Sequence, residues 1–484
     1  MKTLEEREKS ISCKVVDSQT EIDCDKESLA GAVSQRACVY SGARVVLNPI
    51  TDAFHLVHGP IGCASYTWDI RGSLSSGPEV YRNSFSTDLR EKDIIFGGEE
   101  KLEAAITELV QKYQAKFIFV YATCVVGVIG DDIVAICNKA EKEYGITVIP
   151  VQAAGFAGNK MSGYKAAGHA LLQLMSKSET EESDETNKTD SLQNNKQKLL
   201  NNPENKQANN AICNNAVKKR KINILGDFNL AGEIWIIKDY LKEIGLEINA
   251  GLTGDSTCEE LMKVPEADLN IVQCAGSMVF LAKKLRKKYG IPFIKISFVG
   301  IEDTINALYK IAEFFDDYML QYNIAKLVDK KYKEIGLDID KYQQRLAGKR
   351  VAIYVGGGFK AISLIKQFKS LGMKTVLVGT QTGKAEDYQQ IDELVDEGTV
   401  ILDDANPNEL EHFMREKDVD ILAGGVKERP LAYKLGVAFC DHNHERKHPL
   451  LAFEGAVNFA REVDQTINST VWKYVKKEKN IINL

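Results

Sequence analysis

No stretch of this 484-residue chain approaches the roughly 18–20 consecutive apolar residues that a membrane-spanning helix needs. A membrane protein is therefore not expected. The opening residues Met1 to Ser10 (MKTLEEREKS) lack the apolar core of a secretory signal, so no export is predicted. Basic excess is missing as well. A net charge of −6 and a pI of 5.8 argue against a general nucleic-acid binder. The ten cysteines are too sparse for a disulfide scaffold. None of them forms a CxxC pair, which removes the main support for zinc-ribbon and thioredoxin-like readings. With no leader, the expected location is cytoplasmic, where thiols stay reduced and can ligate metal. What remains is ordinary globular composition, 44% hydrophobic and 27% charged. The length suits about two to four domains.

One segment lacks core-forming residues altogether. Ser176 to Asn215 carries ten Asn and almost no aromatic or β-branched apolar residues. Such a stretch cannot bury enough apolar surface to offset its ordering entropy, so residues 176–215 read as a disordered Asn-rich linker. On either side, short apolar runs alternate with helical patterns: Lys116 to Thr123, Thr147 to Gln152, Lys221 to Leu225, Leu269 to Gln273, Pro292 to Ser297, Arg350 to Val355, Thr375 to Gly379, Thr399 to Leu402 and Val419 to Ala423. Continuous apolar strands alternating with helices mean parallel sheets covered on both faces. The expectation is an α/β protein of three doubly wound, Rossmann-like parallel-sheet domains: 1–175, 216–330 and 331–484. Glu313 to Arg345 reads as a long charged helical connection between the second and third.

Ligands of open α/β sheets bind beyond the carboxyl ends of the strands. There the chain places Cys124 after KFIFVYAT, Cys274 after LNIVQ, Gly356-Gly357-Gly358 after RVAIYV, and Gly424-Gly425 after DILA. A buried structural cysteine is the alternative for each thiol. Cys63 follows the turn Gly59-Pro60-Ile61-Gly62, whose glycines let backbone N–H groups approach a ligand or simply make a turn. Cys38 lies in RACVYSGA, near another small-residue turn. Separations among Cys38, Cys63 and Cys124 fit no local metal motif, so only folding could bring them together. The glycines at 356–358 do not match GxGxxG, yet their N–H groups suit an anion. The stretch Cys440 to His448 is either a polar loop or a site element, with zinc the less supported of its uses.

Several segments together are similar to one known family. LNPITDAFHLVHGPIGCASYTWDIRGSLSSGPEVYRNSFSTDL (Leu47 to Leu89), YATCVVGVIGDDI, AGFAGNK, LNIVQCAGSM, YGIPF, YVGGG and HPLLAFEG resemble, in order, the nitrogenase component 1 family. Within it, WDIRGSLSSG, IGDD and QCAGSM resemble the α-type subunit of the cofactor-assembly scaffold more than the catalytic α subunit. The resemblance implies that Cys38, Cys63 and Cys124 bind a [4Fe-4S] cluster at the interface with a NifN-like β-type subunit of an α2β2 heterotetramer. It implies that Cys274 holds an iron–sulfur precursor of the iron–molybdenum cofactor, with molybdenum and homocitrate added on maturation. Arg71, Gly356, Gly357, Lys360, His442 and Asn443 fall on or beside the family's cofactor contacts. The implied further partners are the nitrogenase iron protein, the upstream precursor-supplying protein NifB and apo nitrogenase component 1, with no nucleic acid and no membrane. Soft thiolates suit such clusters.

The departures from the family pattern bear on function. A Gln and a His of the catalytic subunit fall here on Met161 and Lys165, or, with a one-residue gap, on Lys160 and Tyr164. Losing that His removes a side chain suited to donating protons to substrate. Phe359 stands where an Arg or Lys is usual, with Lys360 one position later. A non-catalytic scaffold is therefore expected, with a catalytic α subunit of a nitrogenase-like reductase as the alternative.

Overall fold

The computed structural model describes residues 7–15, 22, 38–68, 83–193, 220–273, 275–442, 448–472 and 474. It is an α/β protein built on three sheets, two of four strands and one of six. The chain opens on β1 (Ile11–Cys13), which pairs antiparallel with a strand of the third sheet, far along the sequence. All other pairings are parallel.

The first sheet runs β3-β2-β4-β5, from β2 (Ala53–His58), β3 (Ser84–Ser86), β4 (Phe117–Ala122) and β5 (Thr147–Gln152). The second runs β7-β6-β8-β9, from β6 (Lys221–Asp227), β7 (Glu247–Thr253), β8 (Leu269–Val272) and β9 (Phe293–Lys295). The third runs β1-β12-β11-β10-β13-β14, from β10 (Arg350–Val355), β11 (Lys374–Thr380), β12 (Val400–Asp403), β13 (Ile421–Gly424) and β14 (Ala438–Asp441). Its strand order reverses between β10 and β13, which opens a crevice for ligand. Most of the strands read as continuous apolar runs are buried on both faces, as parallel sheets require, whereas the edge strand β9 is half-buried and ends on the exposed Lys295.

The helices that shape the site are α1 (Val39–Leu47), α2 (Ile61–Trp68), α3 (Glu91–Phe96), α4 (Cys124–Ile129), α5 (Lys160–Gln193), α6 (Tyr318–Leu346) and α7 (Gly358–Ser370). Helices α1 and α5 cross with their backbones in contact. A Cβ on Gly42 would overlap the Lys160 carbonyl, and one on Gly163 the Val39 carbonyl. One hydrophobic core runs from the first sheet through α1 and α5 into the second. Helix α5 runs on to Gln193, into the segment 176–215 expected to be a linker. The expected connection over 313–345 is α6, set off from the preceding helix by Asp316 in the left-handed region and capped by Asp317, whose Oδ1 accepts from Met319 N at 2.7 Å. Among the described residues no helix is long and apolar enough to cross a membrane.

Candidate functional site

Strands β2, β4 and β5 lie side by side and parallel, so the loops leaving them emerge on one edge. Cys63 follows β2 in the first turn of α2, Cys124 follows β4 as the first residue of α4, and Gly155 follows β5. Cys38 caps the N-terminus of α1 and is bridged to Asn159, just past the Gly155 turn. The Gly155 amide donates to Cys124 Sγ at 3.0 Å. A Cβ on Gly155 would stand 2.9 Å from Cys124 Sγ and 3.8 Å from Cys38 Sγ. Both sulfurs thus lie within 4 Å of one point, and only glycine leaves them that room. Each thiol stands at the start of a helix.

Burial, then the neighbouring sulfurs Cys124 and Cys38, push the Cys63 thiol up, against a Thr123 hydrogen bond that favours the thiolate. Among the described residues no three His, Cys, Asp or Glu side chains close on a single metal ion. Soft donors spread around a glycine-lined hollow suit the edge of a multi-iron cluster instead. The surroundings are exposed and apolar: Ile95 is 74% exposed, Phe96 87%, Val128 76% and Phe156 65%. With Cys38 and Cys124 themselves exposed, this edge has the make-up of a protein interface.

A second hollow, about 230 Å³, lies between helices α1 and α5 and the strand ends of the second and third sheets. Lys160, Met161 and Tyr164 reach it from α5, Asp227 and Gln273 from β6 and β8, Gly356, Gly357 and Lys360 from the β10–α7 turn, and His442 from the end of β14. The expected contacts Gly356, Gly357, Lys360 and His442 therefore share one cavity. Cys274, Arg71 and Asn443 lie outside the described residues, although Gln273 and His442, the neighbours of two of them, line the wall. The Lys360 ammonium donates to the His442 carbonyl. The His442 ring is buried edge-on against Phe459, with centroids 5.0 Å apart.

The carboxylates of the wall are anchored. Asp227 Oδ2 accepts from Gln273 Nε2 at 3.2 Å, and Glu233 Oε1 accepts from Leu450 N at 2.7 Å. The Lys160 ammonium stands 5.8 Å over the Tyr164 ring. Asp227 and Gly155 were not singled out from sequence, although both stand at strand ends, where the same strand-end reasoning would have found them. Of Lys160, Met161, Tyr164 and Lys165, the first three line the cavity and Lys165 does not. His442 is the single imidazole among the described lining residues.

Comparison with known proteins agrees with this architecture. A profile described as "Nitrogenase component 1 type Oxidoreductase" matches residues 38–468. The chain is 58% identical over 479 residues to the "Nitrogenase iron-molybdenum cofactor biosynthesis protein NifE" of Clostridium pasteurianum, covering 98% of this chain and 97% of that one. It is 49% identical over 476 residues to the protein of the same name from Methanosarcina barkeri, covering 98% of each. Among solved structures, "Nitrogenase Cp1 at pH 5" superposes with a TM-score of 0.81 at 31% identity, covering 98% of this chain and 96% of that one. The three parallel sheets, the strand-end thiols and these likenesses agree, and the chain belongs to the nitrogenase component 1 type oxidoreductase family.

Proposed function

We propose that this chain is the α-type subunit of a cytoplasmic scaffold for iron–molybdenum cofactor biosynthesis. Cys38, Cys63 and Cys124 hold a [4Fe-4S] cluster at the interface with a NifN-like β-type subunit, which completes its ligation in an α2β2 heterotetramer. The cavity receives the iron–sulfur precursor, tethered by Cys274 and delivered by NifB. Molybdenum and homocitrate are added with the nitrogenase iron protein docked, and the product passes to apo nitrogenase component 1. Gly356 and Gly357 leave backbone room for a large anionic cargo, Lys360 supplies positive charge beside it, and Arg71, His442 and Asn443 are further contacts for it.

The observation that carries this reading is the gathering of three thiols at helix starts on one exposed apolar edge, in a chain whose full-length relatives are named for cofactor biosynthesis. Few protein ligands around a separate cavity suit a protein that must release what it binds. The alternative, a catalytic α subunit, has one observation in its favour: His442 reaches the cavity. Against it, α5 offers no imidazole to the cavity for proton delivery, only Lys160, Met161 and Tyr164.

The test is iron content of the complex purified without oxygen after co-expression with its β-type partner and the upstream assembly proteins. Iron beyond one shared four-iron cluster is expected, together with no substrate reduction when iron protein and reductant are supplied. Cys63→Ala is expected to remove the interface cluster and weaken the tetramer. Folded, assembled but iron-free protein, from cells in which other cluster proteins load normally, would overturn the reading.

A further inference from the structure

The loops that carry Cys63 and Cys124 are joined by a buried polar relay that no cluster ligand belongs to. His58 ends β2 and is fully buried. Its Nδ1 lies 3.0 Å from Thr87 Oγ1 and its Nε2 3.0 Å from Asp131 Oδ2. The Gly59 amide donates to the same Thr87 hydroxyl at 3.1 Å. The hydroxyl therefore gives its own proton to Nδ1, and the neutral ring donates from Nε2 to Asp131, one tautomer that satisfies every partner.

Asp131 reaches further. Its two carboxylate oxygens accept from Gly98 N at 3.1 and 3.2 Å, just past the exposed helix α3. A Cβ on Gly98 would stand 2.7 Å from Asp131 Oδ2 and 3.0 Å from His58 Cε1, so the relay closes tightly there. On its other side the His58 carbonyl accepts from Thr123 N at 3.2 Å and from Thr123 Oγ1 at 2.9 Å. Thr123 precedes Cys124 in sequence, and its side chain lies against the Cys63 thiol. A single buried network thus runs from the end of α3 to Thr123, the residue joined to Cys124 and set beside Cys63.

We propose that Thr87, His58, Asp131 and Thr123 are positioning residues for the interface thiols: they hold Cys63 and Cys124 at the separation a bound cluster requires. This rests on the interface-cluster reading above. In an apo fold, thiols on two loops drift apart unless something other than the metal fixes them, and buried hydrogen bonds with no competing water are suited to that task. Removing one member leaves its buried partners unsatisfied and loosens both loops.

The experiment uses the anaerobically purified complex with its β-type partner, and reads two quantities: the rate of iron release to a ferrous chelator and the paramagnetic resonance spectrum of the reduced interface cluster. Asp131→Ala is expected to speed release about tenfold and to change the spectrum, the loss of roughly one well-made buried hydrogen bond. Asp131→Asn, which keeps an acceptor for Gly98, is expected to fall between wild type and Asp131→Ala. Thr123→Val is isosteric, removes only the hydroxyl, and is expected to speed release several-fold. It keeps the test open if Asp131→Ala does not fold. Cys63→Ala separates the two levels of the argument. If it keeps its full cluster signal, the cluster reading itself fails. If it loses the signal while Thr123→Val and every folded Asp131 variant release iron at the wild-type rate with an unchanged spectrum, the positioning role alone is overturned.

Discussion

Replacing Gly155 with alanine tests the thiol cradle at its narrowest point. The added methyl would stand 2.9 Å from Cys124 Sγ and 3.2 Å from Cys38 Cβ, whereas ordinary van der Waals contact begins at 3.4 Å. Something must therefore retreat by about 0.5 Å, and the groups nearest are the two cysteines. For the fold the effect is small. Overpacking at a half-buried site costs about 1 kcal/mol. Gly155 has no left-handed backbone angle to lose, so alanine recovers ~0.4–1 kcal/mol by restricting the unfolded chain. These terms nearly cancel, and the melting temperature should move by no more than a few degrees. A cluster edge is rigid, and thiols displaced by that distance no longer meet it. The expected result is a complex that folds and assembles but carries several-fold less interface iron, measured by iron per chain and by the amplitude of the reduced cluster's resonance signal. Wild-type iron in a properly folded Gly155→Ala complex would refute the reasoning, because the three sulfurs would then not share this hollow as ligands.

Two further outcomes follow from other parts of the molecule. Cys274→Ala is expected to keep the interface cluster and lose the precursor; full precursor loading, read as iron above the interface complement, would remove Cys274 from the site. Burial raises the Glu428 carboxyl to about 7, against a backbone hydrogen bond from Gly425. Because its folded pKa lies above its ordinary 4.5, the stability it contributes is complete below pH 4.5 and is lost as pH rises through about 7. Glu428→Gln, which keeps an acceptor for Gly425, should therefore leave stability at pH 4.5 nearly unchanged and raise the melting temperature at pH 8, so equal shifts at both pH values would count against this buried carboxyl.

Much of the fold was legible because buried parallel strands must be apolar along their whole length. Runs such as KFIFVYAT and RVAIYV announce themselves without their neighbours. The strands that sequence missed are those whose polar residues are satisfied only by distant partners. In β2, AFHLVH, His55 bonds Tyr121 at 2.8 Å and His58 bonds Asp131, and neither partner is local. In β7, EINAGLT, Asn249 donates to Asn223 of β6 at 2.9 Å, a pairing visible only once the strands are aligned. Strand β1 escaped notice because three residues at the start of the chain carry no sign that β12 is their partner.

Residue types carry their chemistry without folding: soft thiols at strand ends, glycines beside them, and lysine, methionine and tyrosine in the run that opens α5. Tertiary structure decided which of those residues meet. Adjacency of parallel β2, β4 and β5 turns three distant loops into neighbours on one edge, a relation that linear spacing does not encode. The same holds for the cavity. Its wall draws on the second and third sheets and on α1 and α5, and backbone contact between those two helices through Gly42 and Gly163 sets the thiol edge and the cavity side by side. Chemical identity is a property of single residues and survives in the sequence, whereas convergence is a property of packing and exists only in the folded chain.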